Sequence, residues 1–283
     1  MRFEYYALLT AFCFGLNAVL VRKGMAHSNA VTATLLVSGV QVSVLGSLLI
    51  LDPPKINPRA AAYFVAAGFL AAILGRTLNY LSIDRVGVPV STSLTGTNPL
   101  FALLLSALLL GEALTLFKTL GVVMVVVGVA LVSGGGGGKP LRVRELAAPL
   151  ASAFFYALSS VVRKAGLTLQ PEPVLGAVLG TLTSLVAYPL ILRVMGRAGE
   201  FKPTRASAPW FIAGGVATSV AWLAMFTATQ EGPVGVVSAI IGANPLFGLL
   251  LSALLLRDVE RVTAKVALGS ALIVAGVAVI TLF

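Results

Sequence analysis

Arg76, Asn79 and Tyr80 hold the spacing in this chain that most readily does chemistry. Positions i, i+3 and i+4 share one helix face, so a guanidinium, a carboxamide and a phenol converge there. Such a face binds and orients a carboxylate or a phosphate. Arg76 lies well inside an apolar stretch, where insertion costs at least about 2.5–3.5 kcal/mol, so its head must meet protein or water. Its other use would be to snorkel or to satisfy backbone carbonyls.

Asn98-Pro99 and Asn244-Pro245 form a second constellation, each near the middle of an apolar run. Proline removes a backbone donor and frees a carbonyl one turn earlier. The adjacent Asn can serve that gap, a solute, or simply a kink held by interhelical hydrogen bonds. Trp222 and Thr227 fall where the second half of the chain corresponds to the Arg76–Tyr80 region. They offer an aromatic and a hydroxyl where the first half offers charge, which suits a solute with an anionic head and an apolar body. Asn17 is a further polar residue in the first apolar run, with Ser159 and Ser160 as approximate counterparts; small polar groups there also act as helix–helix glue.

Other chemistries lack material. One Cys (Cys13) precludes an internal disulfide, and one His (His27) precludes a His-based metal cluster, so no metal or cofactor is expected. Each of the ten acidic residues lies at or beyond the end of an apolar run. Intramembrane carboxylates are the usual proton relays, so an exchanger or facilitator fits better than a proton-coupled pump. With no nucleophile–base pair inside the apolar runs, an enzyme is not expected. The glycine run 134–138 before Lys139-Pro140 fails the phosphate-loop pattern, because Pro140 occupies the hydroxyl position.

The elements that position these groups follow from composition. Of 283 residues, 58% are hydrophobic and 11% charged, with mean hydropathy +0.99. A soluble domain carries about 25% charged residues, so the chain belongs in lipid. The net charge of +10 then reads as Lys and Arg flanking apolar spans at an anionic membrane surface; nucleic acid is not an expected partner. A spanning helix needs about 20 apolar residues. The chain offers ten such runs, at 5–21, 30–51, 60–83, 88–110, 116–133, 146–162, 174–194, 208–229, 234–256 and 263–283. Arg22-Lys23 follows the first run in place of a small-residue cleavage site, so that run reads as a permanent span.

The two halves repeat. Residues 96–110 and 242–256 are identical at all but two positions. Val21-Arg22-Lys23 echoes Val162-Arg163-Lys164, and Gly121 and Gly128 echo Gly269 and Gly276, which read as close-packing faces. The expected organisation is a first five-span repeat over 1–133, a Gly-rich linker over 134–144 and a second repeat over 145–283. Five crossings are odd, so the second repeat starts on the opposite side and the halves are inverted. The fold class is therefore an all-α membrane protein of ten transmembrane helices in two inverted five-helix repeats. In such plans the site lies near the midplane at the repeat interface, here between the first, third, fourth, sixth, eighth and ninth spans.

This organisation, together with Phe14-Gly15-Leu16-Asn17-Ala18-Val19, Tyr80-Leu81-Ser82-Ile83, Asn98-Pro99-Leu100-Phe101, Gly111-Glu112 and Gly121, resembles the drug/metabolite transporter superfamily, specifically its EamA-type members. In the second copy Arg257-Asp258 stands where the first has Gly111-Glu112. The resemblance implies a multi-pass secondary transporter of the cell membrane. It would move small metabolites, such as amino acids or other carboxylate-bearing solutes, by alternating access, as an exporter, facilitator or exchanger. A small multidrug-resistance relative would carry a membrane-embedded Glu in its first span; this chain has Asn17 there. The other reading of the same fold is a lipid flippase or scramblase. The expected partners are a small-molecule substrate and the bilayer, with the protein a monomer or weak homodimer. The count of Lys and Arg puts both termini outside, whereas the resemblance implies both inside.

Overall fold

The computed structural model describes residues 3–51, 54–101, 105, 115–133, 142–231, 237, 240–256 and 263–282. Helix α1 spans Phe3–Met25 and α2 spans Ala30–Leu51. Helix α3 (Pro58–Gly68) runs through a π-helical segment (Phe69–Gly75) into α4 (Arg76–Val86). Then come α5 (Val88–Thr95), α6 (Leu116–Ser133), α7 (Val143–Leu169) and α8 (Pro173–Val194). A 3-10 turn (Ala198–Glu200) precedes α9 (Ala208–Glu231), α10 (Asn244–Leu255) and α11 (Ala264–Leu282). No strand occurs among the described residues. Six helical stretches are long and apolar enough to cross a membrane: α1, α2, α3 through α4, α7, α8 and α9. The apolar stretches in α6, α10 and α11 are shorter. The glycine run, Gly111-Glu112 and Arg257-Asp258 lie outside the described residues, as do Asp52 and Glu260.

Local chemistry explains the helix ends. Pro58 opens α3 at a position whose N–H needs no partner, and the Asn57 side chain accepts from the Arg59 N–H at 3.0 Å. The Asn29 side chain caps α2 by accepting from the Thr32 N–H at 2.9 Å. Helix α7 starts where the Glu145 carboxylate accepts from the Arg142 N–H at 2.7 Å. It stops at Leu169, two residues before Pro171. This end corrects the sequence expectation of a span closing at residue 162: Arg163 and Lys164 lie inside α7, not in a connection.

Helix directions follow from paired contacts. Asn17 meets Tyr80 and Arg22 meets Asp84, so α1 and α4 run the same way. Ser159 donates to the Ala67 carbonyl and Ser152 to that of Gly75, so α7 opposes the α3–α4 rod. The first helix of the second half therefore runs against the first helix of the chain. Packing is closed under exchange of the halves. Helix α1 lies on α9 as α7 lies on α3–α4, while α2, α5 and α6 pack on α8, α10 and α11.

The α6–α11 crossing shows what glycine contributes. A Cβ on Gly269 would stand 2.7 Å from the Gly128 carbonyl oxygen, and one on Gly276 2.7 Å from that of Gly121. Backbone touches backbone at both points, as the spacing of seven in each helix anticipates. In lipid, where apolar burial gives helices little reason to associate, such close approach supplies the packing.

A π-helical turn leaves carbonyls poorly paired, and in a membrane these need other donors. Serines from neighbouring helices supply them. Ser152 donates to the Gly75 carbonyl at 2.8 Å and Ser184 to that of Ala72 at 3.2 Å. The widened turn ends at Arg76 and so sets the direction in which its side chain leaves the helix.

Candidate functional site

A cavity of about 130 Å³ lies between the halves. Its walls come from α1, from the π-segment and α4, from α5 with Gly96 and Asn98, and from α7, α9 and α10 with Ile241 and Gly242. These are the six segments expected from the sequence to surround it.

Arg76 is only 4% exposed. Its Nη1 donates to Ser38 Oγ at 2.8 Å and its Nη2 to Gln41 Oε1 at 2.7 Å, both from α2. The guanidinium carbon lies 5.6 Å from the centroid of the Trp222 ring. Two of five donors are thus held by neutral partners and one face by an aromatic, and the group borders the cavity. Its neighbours on the same helix point to different helices. Tyr80 is 1% exposed and its hydroxyl meets Asn17 Nδ2 at 3.2 Å. Asn79 Oδ1 accepts from Ser91 Oγ at 3.1 Å and Thr95 Oγ1 at 3.4 Å, which ties α4 to α5. All four residues border the cavity.

Both Asn-Pro sites are helix breaks. Helix α5 ends at Thr95, a turn covers 96–97, and helix resumes at Asn98. Residues 242–243 form the matching turn before Asn244 opens α10. The hydrogen bonds repeat too: the Leu100 N–H reaches the Thr97 carbonyl and the Leu246 N–H that of Ala243, each at 2.9 Å. Both Asn residues border the cavity, and Asn244 Oδ1 is buried with no hydrogen-bond partner.

Trp222 forms the floor under Arg76 and stacks on Phe226, ring centroids 6.0 Å apart. Thr227 is not part of the cavity lining, and its hydroxyl donates to the Leu223 carbonyl at 2.9 Å. It is five residues past Trp222, about 140° further round the helix, so the two cannot share a face.

Three residues of α7 line the cavity: Tyr156, not singled out from the sequence, Ser160, named there only as a counterpart of Asn17, and Arg163, named only in the Val-Arg-Lys echo. They recur at four- and three-residue steps, the same helical-face signal that marks Arg76, Asn79 and Tyr80. Arg163 Nη2 donates to Ser160 Oγ at 3.0 Å, and its guanidinium carbon lies 5.2 Å from the Phe226 ring centroid. Among the described residues no carboxylate lies within ion-pair reach of Arg76 or Arg163. Those residues also hold no cluster of metal-ligating side chains.

Comparisons with known proteins agree with this layout. The profile of the EamA-like transporter family matches residues 1–134 and again 145–282. An uncharacterized transporter of Bacillus subtilis (strain 168), YvbV, is 25% identical over 289 residues, covering 97% of this chain and 90% of that protein. An uncharacterized transporter of Archaeoglobus fulgidus is 26% identical over 132 residues, 46% of this chain and 48% of that one. A solved structure described only as the crystal structure of a protein superposes with a TM-score of 0.64 at 18% identity, covering 96% of both chains; it shares the fold.

Proposed function

The chain belongs to the EamA-like transporter family, and from that premise we propose that it moves a small carboxylate-bearing solute, an amino acid or a related metabolite, by alternating access through the central cavity. One observation carries the substrate class. Arg76 is nearly fully buried beside the cavity, and its partners Ser38, Gln41 and Trp222 are all neutral. A cation held at membrane depth without a counter-ion is costly, and an anionic solute supplies the missing charge.

Ten spans in two inverted repeats, over 1–133 and 145–283 with a linker at 134–144, are the architecture this reading uses. The matched helix breaks before Asn98 and Asn244 support it, because broken helices line transporter sites and move when one half rocks against the other. Asn17, Asn79, Tyr80, Asn98, Asn244 and Trp222 join Arg76 as the solute-contacting set. Among the described residues the acidic groups stand at helix ends or in connections, which favours exchange or facilitated movement over a buried proton relay. The partners are the solute and the bilayer of the cell membrane, with the protein a monomer or weak homodimer.

The test is counterflow into proteoliposomes. Labelled amino acids, other carboxylates, phosphorylated metabolites and lipids are offered to the wild type and to Arg76→Ala. The expected result is saturable uptake of a carboxylate-bearing solute, falling about tenfold or more in the variant, the scale of one lost charge-assisted contact. Uptake indifferent to the substitution refutes the role of Arg76. Lipid scrambling without solute uptake replaces the reading with that of a flippase.

A further inference from the structure

The duplication assigns the chain two related arginines with different environments. Arg22 and Arg163 are counterparts in the repeated Val-Arg-Lys. Arg22, near the end of α1, donates to the Asp84 carboxylate at 3.3 Å and to the Asp84 carbonyl at 3.0 Å. Counting back equally from Asn98 and Asn244, the counterpart of Asp84 is Gln230. Gln230 is neutral and donates to the Pro171 carbonyl. The second half thus keeps the cation and lacks the carboxylate that neutralises it in the first.

Helix α7 also continues past Arg163, so its side chain opens onto the cavity. It rests on Phe226 while Arg76 rests on Trp222, one helical turn away in the same aromatic stack. Behind Arg163, against Phe64 and Gly176, is a second space of about 10 Å³, room for about one water. The cavity therefore holds two guanidiniums, arrayed along one aromatic wall, with only neutral hydrogen-bond partners.

Building on the carboxylate reading above, we propose that the solute is a dianion, with one anionic group on Arg76 and the other on Arg163. A monoanion leaves one buried cation uncompensated. A dianion neutralises both and fits the guanidinium preference for planar, two-oxygen acceptors. Dicarboxylates have this chemistry.

The experiment compares acids of equal carbon number as competitors in counterflow: succinate, glutarate and adipate against butyrate, valerate and hexanoate. Variants are Arg163→Gln and Arg163→Lys, with thermal exposure of the buried Cys13 thiol as a check on folding. The expected result is a preference of about tenfold or more for dianions in the wild type. Arg163→Gln abolishes that preference and leaves monoanion competition within about threefold; Arg163→Lys, which keeps the charge, retains much of it. If monoanions compete as well as dianions, or Arg163→Gln weakens both alike, the dianion proposal is wrong and the carboxylate reading stands. If no acid competes, the dianion proposal is wrong, and the carboxylate reading is decided by the amino acids offered in the counterflow test above.

Discussion

Two glycine-to-alanine substitutions separate packing from chain entropy, with opposite expected signs. At Gly269 the added methyl meets the Gly128 carbonyl oxygen at 2.7 Å, Val132 Cγ2 at 2.8 Å and the Val132 nitrogen at 2.9 Å. Two of these are backbone atoms of the facing helix, which cannot turn aside as a side chain can. Restoring van der Waals distance means moving α6 from α11 by about 0.5 Å or more, and a gap of that size forfeits about a quarter or more of each contact's attraction. Overpacking of this kind costs about 1–3 kcal/mol. At Gly46 in α2 nothing lies within 4 Å of the built Cβ. Alanine there gains about 0.4–1 kcal/mol by restricting the unfolded chain. The chain supplies its own reporter: Cys13 is its one cysteine and is buried at 6% exposure. A thiol-reactive fluorogenic dye, added during a thermal ramp in detergent, therefore reads unfolding directly. At about 2–4 °C per kcal/mol for a chain of this class, Gly46→Ala should melt up to a few degrees higher. Gly269→Ala should melt several degrees lower. A neutral or stabilising Gly269→Ala would refute the backbone-to-backbone crossing.

Asn244→Ala should leave the melting point unchanged or raise it by the equivalent of about 1 kcal/mol, because the residue's buried Oδ1 already lacks a partner. Counterflow should fall about tenfold under the same substitution, and a drop in stability without a drop in transport would reverse the argument. Thr227→Val should transport within about twofold of the wild type, since its hydroxyl serves only the Leu223 carbonyl; a large loss would place Thr227 back in the site.

Much of this was legible from spacing alone. Arg76, Asn79 and Tyr80 could be put on one face because helical periodicity is indifferent to tertiary context. The paired Asn-Pro breaks were visible because proline's lost donor is a local fact. The glycines spaced at seven foretold a crossing because only hydrogen side chains admit it. What failed needed three dimensions. Arg163 reads as a flanking charge because basic pairs mark span ends, yet the punctuation that ends α7 is Pro171, with Ala165 to Leu169 still helical. Thr227 was aligned with the Arg76 region by position in the chain, which ignores rotation about the helix. The π-segment has no sequence signature here; its carbonyls are served by Ser152 and Ser184 from distant parts of the chain.

The exchange-symmetric packing bears on what carrying both halves in one polypeptide makes available. Two copies of a single half, paired head to tail, would present identical surfaces to each other. Each arginine of such a pair would meet an aspartate, or neither would. Joined in one polypeptide, the halves could drift independently. Arg22 kept its Asp84 near one end of the bundle, while its twin Arg163 borders the central chamber with glutamine at the aspartate's corresponding position. A guanidinium left without its aspartate in a shared chamber is a feature that a symmetric ancestor had no means to encode.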